Sequence, residues 1–347
     1  MTLQSKPIEP TPAFSAPAPH TVSVVVPMYN EVDNGVALID AVQAALHDAP
    51  FGWELIVVDD GSRDGTPLAL RQRAREVGAH IRIIGLRRNF KQTAAMQAGI
   101  DAALGDVIVT MDGDLQNDPA DIPAMVAHLI DNDLDLVAGW RRHRQDGLWL
   151  RKIPSRIANH LIRKITALPF QDLGCSLKAY RASVLKEVRL LGEMHRFIPA
   201  WMAMVTSPHR MSEVPVNHRA RTAGESKYGL SRTFRVIIDV LTVHFFLKYG
   251  SRPGHFFGGI GLSVMTVGLL ILAYLGGVKL MGEDIGGRPL LWVGFVCVLS
   301  AVQFLTVGIL AELLIRVYYE RPQAHRQYYL DDASPTAERP HWWTRSS

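Results

Sequence analysis

The chain has 347 residues, of which 48% are hydrophobic and 20% are charged, and its formal net charge is +4. This length provides for one large or two modest domains with their own cores, so the fold does not depend on disulfides. The two cysteines, Cys175 and Cys297, are far apart and have neither disulfide-framework nor metal-site spacing. The mild positive charge suits nucleic acid, anionic lipid or a phosphorylated substrate, and its distribution along the chain must decide among them.

The two ends of the chain have the composition of loose tails. Residues 1–20 are rich in proline and lack both apolar periodicity and the continuous hydrophobic core of a secretory signal. Residues 319–347 are largely polar and also contain proline. The sequence therefore predicts a disordered N-terminal tail and a C-terminal tail beyond the last apolar segment.

Strand-like and helix-like segments alternate from residue 21 onward. The apolar pattern predicts strands at Thr21–Val26, Leu55–Val58, Ile81–Leu86 and Asp106–Met111, and helices from about residue 32 to His47, Thr66–Val77 and Gln92–Leu104. This alternation predicts an α/β fold with a doubly wound, largely parallel sheet. In such folds ligands bind beyond the carboxyl ends of the strands.

Acidic side chains follow two of these predicted strands. Asp112 and Asp114 come directly after one strand, and their hard oxygen ligands at this spacing suit Mg²⁺ or Mn²⁺ on the diphosphate of a nucleotide. Asp59 and Asp60 follow another strand and can face a ribose or a base edge. An ordinary turn is the alternative interpretation of both pairs.

Several nucleotide and nucleophile motifs are absent from the sequence. The chain has no G-x-G-x-x-G at its first strand-to-helix junction, no G-x-x-x-x-G-K-[ST] and no G-x-S-x-G. Their absence argues against a hydride-transfer enzyme, a phosphate-loop NTPase and an α/β-hydrolase.

A basic amphipathic stretch runs from Arg141 to Lys164, with eight lysines or arginines and the single acid Asp146. Its apolar residues can lie among lipid headgroups while its cations attract anionic lipid or a lipid phosphate. Nucleic acid is a competing partner for such charge, and a solvated charged helix is the alternative without function. The membrane segments described next favour lipid.

Two long apolar segments follow, at about 254–278 and 289–315 within a region spanning 253–318. Each satisfies the requirement of roughly 20 residues for crossing a bilayer. A buried helical hairpin of a soluble protein is the alternative. Basic residues at the outer ends of the pair predict that the N-terminal domain and both termini lie in the cytoplasm. Residues 230–252 are predicted to form amphipathic helices on the membrane surface.

Four motifs in order resemble family 2 glycosyltransferases. They are Val-Val-Val-Pro-Met-Tyr-Asn-Glu at 24–31, Val-Val-Asp-Asp-Gly-Ser at 57–62, Arg-Asn-Phe at 88–90 and Met-Asp-Gly-Asp-Leu-Gln at 111–116. Together with the apolar pair, they resemble polyprenyl-phosphate glycosyltransferases of the dolichol-phosphate-mannose-synthase type, near the bacterial enzymes that load undecaprenyl phosphate. The resemblance implies a GT-A-like domain over residues 21–229, followed by a two-helix transmembrane hairpin.

The resemblance also implies roles for individual residues. The nucleotide site would contain Pro27, Tyr29, Glu31, Asp59, Asp60 and Asp112. The divalent cation, Mg²⁺ or Mn²⁺, would be held by Asp112, Asp114 and Gln116. The catalytic set would be Asp112, Asp114, Arg141 and Asp172. The acceptor phosphate would be bound by Arg141, Ser155, Arg156, Arg219, Arg221 and Lys227.

These expectations combine into one predicted reaction at the cytoplasmic face of the inner membrane. A single sugar passes from a nucleotide-diphosphate sugar to a polyprenyl phosphate, with undecaprenyl phosphate expected, and the anomeric centre inverts. The Q-x-x-R-W motif of processive relatives is absent, which favours single transfer. A phosphomonoester has a second pKa near 6, so the acceptor needs no strong base and Asp172 is expected to orient groups rather than abstract a proton.

Partners and alternatives complete the predictions. The expected partners are the sugar donor, the lipid acceptor and the membrane, without nucleic acid. Gly258, Gly259 and Gly261 allow close helix packing, and self-association is expected because the family includes tetramers. The alternatives are a membrane-anchored, non-catalytic nucleotide-binding scaffold and a tethered oxidoreductase or nucleotidyltransferase.

Overall fold

The computed structural model describes residues 20–142, 170–190, 192, 194–219, 242, 244–246, 248–250 and 252–319. The predicted N-terminal tail up to residue 19, most of the surface segment 230–252 and the tail beyond 319 lie outside these residues. So do most of the basic stretch and four residues predicted to bind the acceptor phosphate, namely Ser155, Arg156, Arg221 and Lys227.

The described residues form a seven-stranded sheet with the order β3-β2-β1-β4-β6-β5-β7. Its strands are β1 Thr21–Met28, β2 Gly52–Asp59, β3 Ile81–Gly85, β4 Val107–Thr110, β5 Leu136–Trp140, β6 Lys178–Arg181 and β7 Met211–Pro215. Strand β6 pairs antiparallel with β4 and β5, and the other neighbours pair in parallel. The prediction of an α/β fold with a largely parallel sheet is confirmed.

Helices cover both faces of this sheet. They are α1 Val32–Leu46, α2 Thr66–Val77, α3 Gln92–Ala102, α4 Ile122–Asp131, α5 Ala182–Leu185 and α6 Ile198–Met202. Strand β1 is buried at every residue after Thr21, as a central parallel strand requires, and its side chains alternate between two cores. Val24 joins the core under α1, α2 and α4, and Val25 joins the core under α3 and α6.

The boundaries differ from the sequence prediction by a few residues. Strand β2 begins at Gly52 rather than Leu55, because backbone pairing with β1 extends the strand past the apolar run. Helix α3 ends at Ala102 rather than Leu104, where the backbone of Ala103 is already extended. Such ends depend on pairing and caps more than on composition.

Two long helices, α7 Pro253–Leu280 and α8 Pro289–Tyr319, lie against each other. Both are long and apolar enough to cross a membrane, with mean hydropathies of 2.2 and 2.3 in their most apolar windows. Their contact is a seam of small residues one heptad apart. A Cβ added to Gly261 would lie 3.1 Å from the carbonyl oxygen of Ala301, and one on Gly268 would lie 3.1 Å from that of Gly294.

Only one of the three glycines predicted to allow helix packing, Gly261, lies at this contact. Gly261 faces α8, whereas a Cβ on Gly258 or Gly259 would meet nothing within 4 Å. Close backbone approach through glycine is the usual way in which membrane helices pack. The contact seen is within the hairpin, and self-association of the chain stays a prediction.

Candidate active site

The carboxyl ends of the three central parallel strands meet at one edge of the sheet. The Asp60 amide donates a hydrogen bond to the carbonyl of Met28 at 2.8 Å, which ties the end of β2 to the end of β1. The amide of Met111 donates to the carbonyl of Val25 at 3.2 Å and continues the pairing of β4 beyond its last residue. The loops after β1, β2 and β4 are thereby brought together, as the sequence predicts.

The loop after β4 presents the two predicted metal-binding carboxylates. Asp112 Oδ1 accepts a hydrogen bond from Gln92 Nε2 at 2.8 Å, and Asp114 Oδ1 accepts one from the Gln116 backbone amide at 3.2 Å. Burial raises the pKa of Asp112, and the charge of Asp114 raises it further. Gly113 leaves room for Met28, since a Cβ there would lie 2.8 Å from its Cε. The turn thus holds two negative charges close together.

This pair of carboxylates fits a hard divalent cation, which relieves the repulsion between like charges. The described residues contain no group of three His, Cys, Asp or Glu side chains arranged to hold a metal. A cation at Asp112 and Asp114 would thus take its other oxygens from the Gln116 amide, solvent or the donor's diphosphate. The donor set suits Mg²⁺ or Mn²⁺ better than Zn²⁺, which prefers nitrogen and sulfur ligands.

Five of the six predicted nucleotide residues lie at the carboxyl ends of β1 and β2 or in the loops that follow, and the sixth, Asp112, follows β4. Tyr29 is 41% exposed beyond the end of β1, where its ring is available to a ligand. Glu31 Oε2 accepts a hydrogen bond from Asn34 Nδ2 at 2.6 Å at the start of α1. Pro27 lies within β1 opposite Val58.

Asp59 and Asp60 are buried rather than open to solvent. Burial raises the pKa of both carboxyls, and backbone hydrogen bonds oppose the rise. Asp59 Oδ1 accepts from the Ser62 amide at 3.3 Å. Both oxygens of Asp60 accept backbone amides of the loop before α3, from Phe90 at 2.6 Å and Lys91 at 2.9 Å.

Arg141 and Asp172 form a bidentate ion pair beside the turn that carries Asp112 and Asp114. Arg141 Nε lies 2.7 Å from Asp172 Oδ2, and Nη2 lies 2.9 Å from Oδ1. Their side chains are 13% and 11% exposed, and the partnership with Asp172 raises the pKa of Arg141. Glu213 on β7 accepts the amides of Gln171 and Asp172 at 2.9 and 2.8 Å and fixes the loop. Asp172 therefore orients Arg141.

Arg219 is the one predicted acceptor-phosphate residue, besides Arg141, within the described part of the chain. Its amide donates to the carbonyl of Gln116 at 2.8 Å, and its guanidinium pairs with Asp118. The side chain is 62% exposed. The structure thus brings a solvent-accessible arginine beside the turn that carries Asp112 and Asp114.

Three further side chains support the site, and none of them is among the predicted catalytic, nucleotide, metal or acceptor residues. Ser176 Oγ accepts the Asp112 amide at 3.3 Å and Asn117 Nδ2 at 2.7 Å, so it braces both ends of the turn. Lys178 is 2% exposed opposite Thr110 in the sheet, and burial lowers its pKa. Gln92 contacts Asp112 as described above. Their contacts join segments that are distant in sequence, and a local sequence pattern does not reveal such contacts.

Comparisons with known proteins agree with this arrangement. Residues 23–189 match the family model described as glycosyl transferase family 2. The chain is 55% identical over 315 residues to dodecaprenyl-phosphate galacturonate synthase of Rhizobium johnstonii, covering 90% of each chain. It is 34% identical to undecaprenyl-phosphate 4-deoxy-4-formamido-L-arabinose transferase of Shewanella sediminis, covering 90% of this chain and 92% of the relative.

Solved structures share the fold at lower identity. Glucosyl-3-phosphoglycerate synthase from Mycobacterium tuberculosis, in complex with phosphoglyceric acid, matches with a TM-score of 0.52 and 20% identity, covering 66% of this chain and 80% of that one. Mannosyl-3-phosphoglycerate synthase from Rubrobacter xylanophilus matches with a TM-score of 0.53 and 18% identity, covering 65% of this chain and 74% of that one.

The expected GT-A-like fold is therefore confirmed, and the two apolar helices agree with the lipid-linked reactions named for the relatives. The same class of enzyme is indicated by the carboxylates at the sheet edge, by the Arg141–Asp172 pair and by the sequence identity along nearly the whole chain. The chain belongs to glycosyl transferase family 2 and is a glycosyltransferase of the polyprenyl-phosphate group.

Proposed function

We propose that this enzyme transfers one sugar from a nucleotide-diphosphate sugar to a polyprenyl phosphate, with a divalent cation at Asp112 and Asp114. The observation that carries the proposal is the 55% identity to a dodecaprenyl-phosphate galacturonate synthase over 90% of both chains. The paired carboxylates at the sheet edge support the cation. A solved structure of similar fold, glucosyl-3-phosphoglycerate synthase from Mycobacterium tuberculosis, contains Mn²⁺ and uridine diphosphate. We propose that this chain likewise binds a divalent cation together with a nucleotide diphosphate.

In the proposed reaction an oxygen of the lipid phosphate attacks the anomeric carbon of the donor. The new bond joins this carbon to the phosphate oxygen, the bond to the nucleotide diphosphate breaks, and the nucleotide diphosphate leaves with the electron pair. Attack from the face opposite the leaving group inverts the anomeric centre. A bound cation supplies electrostatic stabilisation of the charge on the leaving diphosphate.

The protein's own residues hold the reactants and require no general base. The acceptor phosphomonoester has a second pKa near 6 and is mostly ionised at neutral pH. Asp172 is engaged by two nitrogens of Arg141, so its proposed role is to orient that guanidinium toward the phosphates. Arg219 beside Gln116 is proposed to attract the acceptor phosphate, together with Ser155, Arg156, Arg221 and Lys227.

The proposed donor sugar is galacturonate, and the proposed acceptor is a polyprenyl phosphate of the dodecaprenyl or undecaprenyl class. Galacturonate stands in the name of the 55% identical relative, whereas the relatives at 33–35% identity are named for 4-deoxy-4-formamido-L-arabinose. The reaction is proposed to occur at the cytoplasmic face of the inner membrane. Both termini lie on that side, and the chain self-associates.

The test is transfer of radiolabelled sugar into extractable lipid by the full-length protein in detergent. The reaction contains undecaprenyl or dodecaprenyl phosphate, Mg²⁺ or Mn²⁺, and one of a panel of uridine-diphosphate sugars that includes galacturonate, glucuronate and glucose. We expect galacturonate to label the lipid, with loss of labelling when EDTA is added.

Three other outcomes would contradict parts of the proposal. Transfer of a neutral sugar in preference to galacturonate would refute the donor assignment and leave the reaction type intact. Labelling that survives EDTA would refute the role of the cation. Release of free sugar without labelled lipid would refute the acceptor.

A further inference from the structure

The loop before α3 is held in place by the turn after β2. Gly61 has a φ of +66°, and a Cβ on it would lie 2.4 Å from the backbone carbonyl carbon of Arg88. The adjacent Asp60 accepts the backbone amides of Phe90 and Lys91 on its two oxygens, at 2.6 and 2.9 Å. A close backbone approach and two hydrogen bonds to a carboxylate thus fix this loop.

Lys91, at the end of this loop, has a backbone conformation that residues other than glycine rarely adopt. Its φ is +78°, a region that glycine enters freely and other residues rarely do. Helix α3 begins at the next residue, Gln92. The hydrogen bond from the Lys91 amide to Asp60 therefore fixes the backbone at the start of α3, and with it the position of the Gln92 Cα.

Gln92 connects this loop to the metal-binding turn. Its amide nitrogen donates to Asp112 Oδ1 at 2.8 Å, across 20 residues of sequence. An amide N–H donated to a carboxylate restricts the rotation of that carboxylate. In metal sites, mutation of a residue that hydrogen-bonds a metal ligand typically weakens metal binding by about 10–100-fold.

We propose that Gln92 is a positioning residue for the metal-binding carboxylate of Asp112, and that Asp60 acts on Asp112 through Gln92 rather than by binding the nucleotide. This rests on the proposed function, because it takes Asp112 as a ligand of the cation. It differs from the family-based expectation for Asp60, since both oxygens of that buried carboxylate already accept backbone amides.

The first test measures binding of Mn²⁺ to the full-length protein, with and without uridine diphosphate, from the electron paramagnetic resonance signal of free Mn²⁺. Gln92→Leu keeps approximately the size of the side chain but removes the N–H donor to Asp112 without adding a charge. Gln72→Leu is the matched control, because the Gln72 amide donates to Glu76 at 3.2 Å on an exposed helix surface.

We expect Gln92→Leu to weaken Mn²⁺ binding by about 10-fold or more, with Gln72→Leu within about twofold of the wild type. The melting temperature of Gln92→Leu should stay close to that of the wild type, and Gln92→Ala is the second variant should the leucine prevent folding. In the transfer reaction the Mn²⁺ concentration needed for half activation should rise, whereas the KM for the donor at saturating Mn²⁺ should not.

The second test separates the backbone of Lys91 from its ammonium. Lys91→Gly and Lys91→Val both remove the charge, but only glycine tolerates the positive φ, since a β-branched residue disfavours it. We expect Lys91→Gly to bind Mn²⁺ like the wild type and Lys91→Val to bind it as weakly as Gln92→Leu. Equal impairment of both variants would show that the ammonium matters and would overturn the role of the backbone.

Asp60→Asn completes the test and distinguishes the failures. We expect it to weaken Mn²⁺ binding, and to weaken it little further when combined with Gln92→Leu, because residues in one network are not additive. Weaker nucleotide binding by Asp60→Asn with unchanged Mn²⁺ binding would overturn the role given to Asp60. Wild-type Mn²⁺ binding in Gln92→Leu would overturn the role of Gln92 alone. No Mn²⁺ binding by the wild type, with or without nucleotide, would refute the metal site itself.

Discussion

Removal of Asp172 from its pair with Arg141 is the perturbation whose size follows most directly from the structure. Arg141 is 13% exposed and gives two of its nitrogens to Asp172, at 2.7 and 2.9 Å. Asp172→Ala leaves that guanidinium largely buried without its carboxylate. Loss of one partner of a buried ion pair costs about 3–5 kcal/mol, and the remaining exposure favours the lower end of this range.

A cost of about 3 kcal/mol corresponds to a decrease of roughly 6–12 °C in the melting temperature of a domain of this size. The assay is thermal unfolding of the full-length protein in detergent, followed by tryptophan fluorescence. The double variant Arg141→Ala/Asp172→Ala removes both charges and should be less destabilised than the sum of the two single variants, with a coupling of about 2 kcal/mol. Sugar transfer should be lost in all three.

The control is an exposed pair of the same chemistry. Arg73 lies 2.7 Å from Asp40, but the two side chains are 34% and 46% exposed, and water screens such pairs. Asp40→Ala should leave the melting temperature and the activity unchanged. If Asp172→Ala shifts the melting temperature no more than Asp40→Ala, or if the single variants add without coupling, the structural role of the buried pair is refuted.

Three further predictions concern the turn after β2, the helix seam and a buried thiol. Gly61→Ala places a Cβ 2.4 Å from backbone at a φ of +66°, so the melting temperature should fall, and an unchanged value would contradict this loop contact. Gly268→Val should destabilise the helix pair, because a Cβ there lies 2.9 Å from the Cβ of the facing helix residue, whereas Gly276→Val, with nothing within 4 Å, should not; equal melting temperatures of the two would contradict the seam. In a Cys297→Ala variant, Cys175 should react with a thiol reagent at pH 8 only on unfolding, because it is buried and burial raises its pKa; rapid labelling of the native protein would contradict its burial.

The half of the sheet that carries the paired aspartates is predictable from the sequence. Strands β1 and β4 are β-branched runs that end in turn residues, and parallel strands deliver their following loops to one edge. Asp112 and Asp114 therefore lie where the pattern places them. The two apolar helices are also predictable, since their length and composition need no tertiary context.

The other half of the sheet depends on pairing that no local pattern specifies. Strand β6 is only four residues long, contains Lys178 and Arg181, and enters antiparallel between β4 and β5. Strand β7 pairs with β5 from more than 70 residues away. Periodicity identifies segments, whereas register and neighbours follow from the whole fold.

The supporting contacts of the site are unpredictable for the same reason. Asp60 and the amides it accepts are 30 residues apart, and Arg141 and Asp172 are 31 apart. Gln92 is one polar residue at the start of a helix, and only the folded chain brings it to Asp112. The acidic motif and the site residues Asp60, Arg141 and Asp172 could thus be predicted, but the contacts that connect them could not.

Lipid labelling by a matched pair of variants tests the central claim most directly. Asp114→Asn removes a charge from the turn proposed to bind the cation, whereas Asp131→Asn removes an exposed charge at the end of α4. With radiolabelled uridine-diphosphate galacturonate, polyprenyl phosphate and Mn²⁺, the wild type and Asp131→Asn should both form labelled lipid, and Asp114→Asn should form almost none while melting at the same temperature. Undiminished labelling by folded Asp114→Asn would contradict the assignment of this turn as the centre of sugar transfer.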